Sequence, residues 1–224
     1  MDIKKAVQNR YGKLISSVNC CDTGCGSCSG EGIPSFGVGK PVSHALLSEG
    51  EKVLDIGSGA GGDCIKAALA VGESGEVTGL DMTEKMLHSA MQNASDAGVS
   101  NIRFVQGDAE EMPLDDSTFD VVISDCVINL VPDKGRVFQE IHRVLKPGGR
   151  MVISDVVTDR PFSAATQSNM DLWCSCVSGA LPEDEYVELI RRAGLSDPET
   201  LDRSSAGVTD GNQLFHVTYR ATKE

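Results

Sequence analysis

The chain has 224 residues, of which 40% are hydrophobic, which is enough to bury the core of one domain. Its formal net charge is -13 at pH 7, and so acidic a surface repels nucleic-acid phosphates and anionic lipids. Nucleic acid and membranes are therefore excluded as partners. No apolar run approaches the roughly 20 residues that a bilayer span needs, and the first residues lack the apolar core of a signal peptide. These features predict a cytoplasmic protein.

The chain begins with a predicted N-terminal arm over residues 1–40. Ile3, Val7 and Tyr11 recur at helical spacing, which predicts a helix. The following stretch, from Cys20 to Gly30, has no periodicity and is predicted to be a loop. Because the cytoplasm keeps thiols reduced, the 8 cysteines of the chain are better explained as thiols or ligands than as structural disulfides.

Strands and helices alternate over residues 41–160. The predicted strands are KVLDI, EVTGL, NIRFVQ, FDVVIS and RMVISDVV. Helical patterns follow the first two of these strands, and another lies between the fourth and the fifth, where Pro147 and the glycines after it end the helix. This alternation predicts a parallel sheet covered by helices on both faces.

The pattern changes over the last segment, residues 161–224. Residues 163–177 and 183–193 are predicted to be helical, and the run LFHVTYR alternates like an edge strand. We therefore expect one α/β domain with a doubly wound, mostly parallel sheet. The N-terminal arm precedes this core, and a helical cap with the final strand or strands completes it.

A glycine turn joins the first strand to the following helix. Gly57, Gly59 and Gly62 provide positions where a backbone can approach a ligand without a Cβ in the way. The spacing also fits G-x-G-x-x-G, so a dinucleotide site has to be considered. Asp55 argues against it, because a carboxylate there suits the amino group of a methionine moiety better than a pyrophosphate. Asp81 ends the next strand, where a carboxylate can accept hydrogen bonds from ribose hydroxyls.

Two further stretches are expected at the same edge of the sheet. Asp108 and Ala109 follow the third strand, at a distance where a side chain can reach an adenine amino group. Ser124 and Cys126 lie at the end of the fourth strand. In an open parallel sheet, ligands bind at the carboxyl ends of the strands.

Taken together, residues 52–155 resemble the class I methyltransferases that use S-adenosylmethionine. The matching pieces are VLDIGSGAGGD, GLDMTEKML, GDAEEMP, FDVVIS and RVLKPGG. The resemblance implies a seven-stranded sheet and S-adenosylmethionine as the cofactor. Asp55 and the glycine turn would contact its methionine end, Asp81 its ribose, and Met82 and Asp108 its adenine. The expected cofactor-binding residues are Asp55, Gly57, Gly59, Asp81, Met82, Asp108, Ala109 and Ser124.

The cysteines resemble those of a narrower family. Cys126 lies in DCVINLVPDK and Cys176 in C-x-x-G-A-L, and both spellings resemble arsenite methyltransferases. The run YGK followed by Cys20 and Cys21 resembles the N-terminus of the same family. The resemblance implies methylation of trivalent arsenic, a detoxification reaction, with arsenite or its thiol conjugates as substrate. Cys126 and Cys176 would hold the arsenic. Cys64, in the helix after the glycine turn, is interpreted as a buried structural thiol.

Thiolate ligation suits this chemistry. Trivalent arsenic is thiophilic and binds three thiolates as a pyramid, with a lone pair pointing away from the sulfur atoms. That lone pair can attack a sulfonium methyl group in line, and arsenic loses no proton in the step. The reaction therefore needs orientation rather than a general base.

One position departs from the family pattern. The family has a further cysteine in a Y-G-C-G run before the first strand, and this chain has Val38 at that place. A third thiolate must then come from elsewhere, either from the N-terminal loop or from a small thiol such as glutathione. We expect Cys20 and Cys21 to act at the site as ligands or reductants. An external reductant, such as glutathione or a thioredoxin-like protein, is also expected.

Other interpretations remain for the N-terminal cysteines. Cys21, Cys25 and Cys28 have the spacing of a radical S-adenosylmethionine cluster, although such enzymes use a barrel-like fold. A zinc site, a redox role and an arm without function are the alternatives. For the whole chain, two rival functions remain. One is a C- or O-methyltransferase of the quinone or sterol type, and the other is an arsenic-binding protein without catalysis.

Overall fold

The computed structural model describes residues 2–17, 37 and 39–224. Its helices are α1 (Ile3–Ser17), α2 (Pro41–His44), α3 (Gly62–Val71), α4 (Glu84–Asp96), α5 (Lys134–Val144), α6 (Ala164–Gln167), α7 (Met170–Trp173) and α8 (Glu183–Arg192), with a 3-10 turn at Ile128–Leu130. Its strands are β1 (Lys52–Ile56), β2 (Glu76–Asp81), β3 (Ile102–Gln106), β4 (Phe119–Asp125), β5 (Leu145–Thr158), β6 (Glu199–Thr209) and β7 (Asn212–Thr222).

The described strands form one sheet of seven, in the order β3-β2-β1-β4-β5-β7-β6. The first five strands in this order are parallel, whereas β7 is antiparallel to both β5 and β6. The strand order reverses between β1 and β4, which creates a switch point where ligands bind in such sheets. This topology confirms the predicted doubly wound, mostly parallel, seven-stranded sheet.

The packing of strand β1 explains why its sequence is apolar almost throughout. Val53 faces a cluster that also contains Cys64 and Ala68 of α3, whereas Leu54 and Ile56 face a cluster that contains Phe138 of α5. Successive side chains point to opposite faces of a sheet, and both faces of this one are covered. Each apolar side chain buried this way contributes roughly 1.5–3 kcal/mol.

The cap differs from its prediction. The helix expected over 163–177 is instead two single turns, α6 and α7, because Asn169 interrupts it. Its backbone is extended, and its Oδ1 accepts hydrogen bonds from the amide groups of Asp171 and Leu172 at 3.0 and 3.2 Å. Capping of this kind starts a new helix rather than continuing the old one.

The edge of the sheet also differs from its prediction. LFHVTYR belongs to β7, which lies between β5 and β6 and is therefore not an edge strand. The edge strand on this side of the sheet is β6, which the sequence pattern did not predict because most of its side chains are exposed and carry no alternation of apolar residues. Within the described ranges, no helix combines the length and the apolar character needed to cross a membrane.

Candidate cofactor and thiol site

A cleft opens at the carboxyl ends of β1, β2 and β4, beside the point where the strand order reverses. Its position is the one expected for a ligand site in this type of sheet. All of the predicted cofactor-binding residues except one line this cleft, namely Asp55, Gly57, Gly59, Asp81, Met82, Asp108 and Ala109.

Gly57 is required by the geometry of the turn. Its φ is +73°, and a Cβ on this residue would lie 2.1 Å from Cγ2 of Val127. The amide of Gly57 donates a hydrogen bond to the backbone oxygen of Leu80 over 2.7 Å. This bond ties the end of β1 to β2 and leaves the open face of the turn toward the cleft.

Asp81 is held at both carboxylate oxygens. The amide of Gly59 donates to one oxygen over 3.0 Å, and the amide of Thr83 donates to the other over 2.8 Å. Burial raises the pKa of Asp81, and the two amide hydrogen bonds oppose that rise. Since each oxygen keeps a second lone pair, this fixed carboxylate can still accept hydrogen bonds from two vicinal hydroxyls.

Asp55 is a buried carboxyl group that suits a cationic ligand. Only 4% of the residue is exposed, and the thiol of Cys64 donates a hydrogen bond to it over 3.2 Å. Burial first, and then the charge of Asp63, raise the pKa of Asp55 well above its ordinary value. A ligand ammonium would stabilise the charged form of Asp55 and offset the cost of burying that charge. The prediction of Cys64 as a buried thiol agrees with its position.

The groups around the cleft fit S-adenosylmethionine. Asp55 faces the place for an ammonium and Asp81 the place for ribose hydroxyls, while Leu80, Met82 and Met86 offer apolar surface for a purine ring. Ser58, in the glycine turn, has a buried hydroxyl oxygen without a hydrogen-bond partner among the described residues. An unsatisfied polar atom at a cleft is accounted for when a ligand supplies its partner.

Helix α1 covers the cleft, a role that the sequence did not reveal. Lys4, Val7 and Tyr11 line the cleft, so the predicted apolar stripe of this helix faces the site. The Lys4 ammonium forms ion pairs with the carboxylates of Asp108 and Glu110. The stripe indicated a buried face, but spacing alone does not say against what a helix packs.

Ser124 is the exception among the predicted cofactor contacts. It is fully buried, and its hydroxyl donates a hydrogen bond to the backbone oxygen of Ile56 over 3.0 Å. This residue therefore joins β4 to β1 beneath the cleft and does not line it. The next residue, Asp125, does line the cleft. Successive side chains of a strand alternate between faces, so a shift by one residue exchanges a ligand contact for a core contact.

Two cysteines meet at the inner end of the cleft. Cys126 lines it, and Cys176, which does not, donates its thiol hydrogen to the backbone oxygen of Cys126 over 3.0 Å. A further, side-chain hydrogen bond with Cys176, followed by burial, raises the pKa of the Cys126 thiol well above its usual value. The structure thus brings together the two cysteines that were predicted to act together.

The remaining cysteine predictions fall elsewhere. Cys20, Cys21, Cys25 and Cys28 lie outside the described residues, and so does Val38. In the part of the chain that is described, no three histidine, cysteine or acidic side chains are arranged to hold a metal ion. Cys64, Cys126, Cys174 and Cys176 are free thiols. The described site therefore offers two thiols to a thiophilic atom.

Comparison with known proteins agrees with this description. The model of a methyltransferase domain matches residues 47–194, and the sheet order is that of the class I methyltransferases. The arsenite methyltransferase of Aquipseudomonas alcaligenes is 36% identical over 98% of this chain and 72% of its own length. The chain belongs to the arsenite methyltransferase family.

Two other similar proteins show how much of the chain is covered by the similarity. The arsenite methyltransferase of Halobacterium salinarum is 40% identical over 84% of this chain and 50% of its own length. The crystal structure of an arsenic(III) S-adenosylmethionine methyltransferase from Chlamydomonas reinhardtii superimposes with a TM-score of 0.73 at 36% identity. That match covers 97% of this chain and 73% of the other. The chain thus spans half the length of the Halobacterium relative and under three quarters of the other two proteins.

Proposed function

We propose that this protein transfers the methyl group of S-adenosylmethionine to trivalent arsenic held by Cys126 and Cys176. The observation that carries the proposal is the contact between these two residues at the inner end of the cleft. A thiophilic atom bound there would lie next to the glycine turn, where the methionine end of the cofactor is expected. The family names of the similar proteins support the same reaction.

The cofactor would be held by the residues predicted for it that line the cleft. Asp55 would pair with its ammonium, Asp81 would accept from its ribose hydroxyls, and Met82 and Ala109 would flank its purine ring. Asp108 would accept from the adenine amino group, for which it must share its carboxylate with Lys4. When bound, S-adenosylmethionine supplies an electrophilic methyl group on a sulfonium sulfur.

The two thiols would bind arsenic without a separate base. For each cysteine, the S–H bond and one As–OH bond break, an As–S bond forms, and the proton leaves with the hydroxide as water. The raised pKa of Cys126 keeps its proton in place until this exchange. The cysteines then orient the arsenic lone pair toward the cleft, and such orientation is the main contribution expected of the protein.

The third position on arsenic and the electrons for repeated turnover require further groups. We propose that Cys20 or Cys21, or a small thiol such as glutathione, fills the third position, so that arsenite or its thiol conjugates serve as substrate. Attack by the arsenic lone pair oxidises As(III) to As(V). Two thiols that form a disulfide return arsenic to As(III), and a thiol reductant such as glutathione or a thioredoxin-like protein would then reduce that disulfide.

The rival functions make different demands on the thiols. A quinone or sterol methyltransferase would share the cofactor cleft but would not need two thiols in contact at its inner end. A non-catalytic arsenic-binding protein would use the thiols but would transfer no methyl group.

The test combines binding with turnover. Phenylarsine oxide has two exchangeable positions and reports on a pair of thiols. The wild type should bind it, and its number of reactive thiols should then fall by two. The Cys126→Ser/Cys176→Ser variant lacks these two thiols and should not show this fall. Arsenite should then accept labelled methyl groups from S-adenosylmethionine. Equal binding by the wild type and the double variant contradicts the proposed site, and binding without methyl transfer favours the non-catalytic alternative.

A further inference from the structure

A buried lysine lies behind the two thiols, and the proposed reaction makes no use of it. Lys134 is the first residue of α5, and only 6% of its surface is exposed. Its ammonium donates a hydrogen bond to the backbone oxygen of Val131 over 3.1 Å and lies 5.5 Å from the centre of the Trp173 ring. Burying an ammonium is costly unless nearby groups compensate for lost water, so this lysine requires an explanation.

Its counter-charge is also buried. Asp155, in β5, is 1% exposed and accepts hydrogen bonds from the amide of Asn129 over 3.1 Å and from the hydroxyl of Tyr186 over 3.2 Å. Burial raises the pKa of Asp155 to about 7, and the charge of Lys134 opposes that rise. Burial lowers the pKa of Lys134 to about 8, and the acidic groups around it, Asp155, Cys176, Glu110 and Asp133, oppose that fall.

The residues around Lys134 hold the segment that carries Cys176. We name residues 173–181 the thiol loop. The indole N–H of Trp173, at its start, donates to the backbone oxygen of Leu130 over 3.1 Å, and the face of the ring lies by Lys134. In its middle, the side-chain amide of Asn129 donates to the backbone oxygen of Cys176 over 3.4 Å. The loop is therefore attached at two points to the segment that follows Cys126.

A third attachment is a close approach of two backbones. A Cβ on Gly179 would lie 1.9 Å from the backbone oxygen of Asn129 and 3.5 Å from Nζ of Lys134. Only glycine permits that approach, and the ammonium of Lys134 lies directly beside it. The lysine ammonium thus lies close to the thiol loop both at its beginning and towards its end.

We propose that Lys134 is a positioning residue of the arsenic site, because its buried ammonium, seated between Trp173 and Gly179, holds the thiol loop so that Cys176 meets Cys126. This inference rests on the proposed function. Hydrogen bonds within and beside the loop also hold it, but it contains no helix longer than one turn, so its position depends on contacts with the rest of the fold as well. A shift of about 1 Å would separate the two residues, and misplacement on this scale weakens a site whose supporting groups are lost.

The test removes the charge while keeping most of the length of the side chain. Lys134→Met should weaken the binding of phenylarsine oxide and arsenite by roughly 10–100-fold, the range seen when a group that supports a metal ligand is lost. Its affinity for S-adenosylhomocysteine should stay unchanged, because Lys134 does not line the cofactor cleft. Lys134→Arg, which keeps the charge and can stack on Trp173, should recover most of the arsenical affinity.

A matched control and a second variant complete the design. Lys146→Met removes a lysine near the start of β5 that pairs with Asp120, and it should bind both ligands as the wild type does. If Lys134→Met does not fold, Trp173→Phe tests the same attachment, because it deletes the indole N–H and keeps a ring. It should weaken arsenical binding and leave S-adenosylhomocysteine binding unchanged.

Several results would overturn the proposal. One is an unchanged arsenical affinity in Lys134→Met, or in Trp173→Phe when that variant is the one used. Another is an equal loss of affinity for S-adenosylhomocysteine in the same variant. The third is an arsenical affinity that does not recover in Lys134→Arg. Failure of the proposed function would look different, because the wild type would then bind phenylarsine oxide no better than the Cys126→Ser/Cys176→Ser variant.

Discussion

Cys176 donates its thiol hydrogen to the backbone oxygen of Cys126 over 3.0 Å, although the two residues are 50 positions apart in the chain. Both residues also have left-handed backbones, with φ of +60° and +58°. For a residue with a Cβ this conformation costs roughly 1–2 kcal/mol, and glycine would avoid that cost. Strained residues of this kind concentrate at functional sites, which supports a role for both side chains.

Replacing either of these cysteines should abolish arsenite methylation and leave cofactor binding intact. Cys126→Ser and Cys176→Ser keep the size of the side chain but remove the thiophilic atom. Methyl transfer from labelled S-adenosylmethionine to arsenite, measured beside the binding of S-adenosylhomocysteine, tests both parts of the prediction.

A third buried cysteine provides the control for that experiment. Cys174 is 5% exposed and packs in the same apolar cluster as Cys126 and Cys176, but the thiol that donates to Cys126 is that of Cys176. Cys174→Ser should therefore keep most of its activity. Near wild-type turnover in Cys126→Ser or Cys176→Ser would remove the pair from the arsenic site.

Asp81→Ala should weaken the binding of S-adenosylmethionine by about 1–3 kcal/mol, because the buried ribose hydroxyls would lose their hydrogen-bond acceptor. The amides of Gly59 and Thr83 would also lose their acceptor, so the turn itself would loosen. Calorimetry on the folded variant measures the effect. Asp96→Ala, at the exposed end of α4, is the matched control, and an unchanged affinity in Asp81→Ala would exclude this carboxylate from the site.

Binding of S-adenosylhomocysteine should release a proton from Asp55. Burial raises the pKa of this carboxyl in the free protein, and a ligand ammonium favours its charged form, so the pKa falls in the complex. At pH values between the pKa of Asp55 in the complex and its pKa in the free protein, binding releases a proton. The affinity for S-adenosylhomocysteine therefore rises with pH in this range, by at most about tenfold per pH unit.

Calorimetry in buffers of different ionisation enthalpy counts the released proton. Asp55→Asn keeps an oxygen that can accept the hydrogen bond of the Cys64 thiol, and this variant should show neither the proton release nor the pH dependence. A wild type whose affinity does not change with pH would show that Asp55 is not the partner of the ligand ammonium.

Periodicity predicted those parts of the fold that bury regular patterns. Strands β1, β2, β4 and β5 contain continuous runs of buried residues because both faces of the sheet are covered there. Strand β3, at the other edge of the sheet, was also predicted although it is only partly buried. The exposed β6 carries no such pattern, and the break at Asn169 depends on a single capping side chain. Short-range sequence patterns indicate which residues are buried, but they do not reveal individual hydrogen bonds.

The candidate site was predictable where a motif fixes it. The glycine turn, Asp55 and Asp81 are set by the strand ends on which they lie. Lys4 and Lys134 were not predicted, because their roles depend on contacts with residues far along the chain, namely Asp108 for Lys4 and Trp173 for Lys134. In a sequence, such lysines are indistinguishable from those on a solvated surface.

Val38→Cys should strengthen the binding of arsenite and leave that of phenylarsine oxide unchanged. Val38 lies outside the described residues, but the amide of its neighbour Gly39 donates to the carboxylate of Asp125, next to Cys126, over 3.0 Å. A third thiol matters only for an arsenical with three exchangeable positions. Paired titrations of the variant and the wild type measure this, with Val38→Ser as control, and equal gains for both arsenicals would contradict a third-ligand role.

The last prediction concerns Cys20 and Cys21, which also lie outside the described residues. The described site offers two thiols where trivalent arsenic binds three. We expect at least one of these cysteines to reach the site during turnover, as a ligand or as a reductant. The Cys20→Ser/Cys21→Ser variant should then lose activity when reductant is limiting, measured as methyl transfer to arsenite.

Excess small thiol shows whether a free thiol can replace Cys20 and Cys21. Rescue by glutathione means that the pair supplied a replaceable thiol, because a free thiol can fill the third position or reduce a disulfide equally well. Loss of activity without rescue means that one of them is a ligand whose place in the fold matters. Cys25→Ser/Cys28→Ser, from the same stretch, is the matched control. Full activity of the Cys20→Ser/Cys21→Ser variant at both thiol concentrations would show that these two cysteines are dispensable.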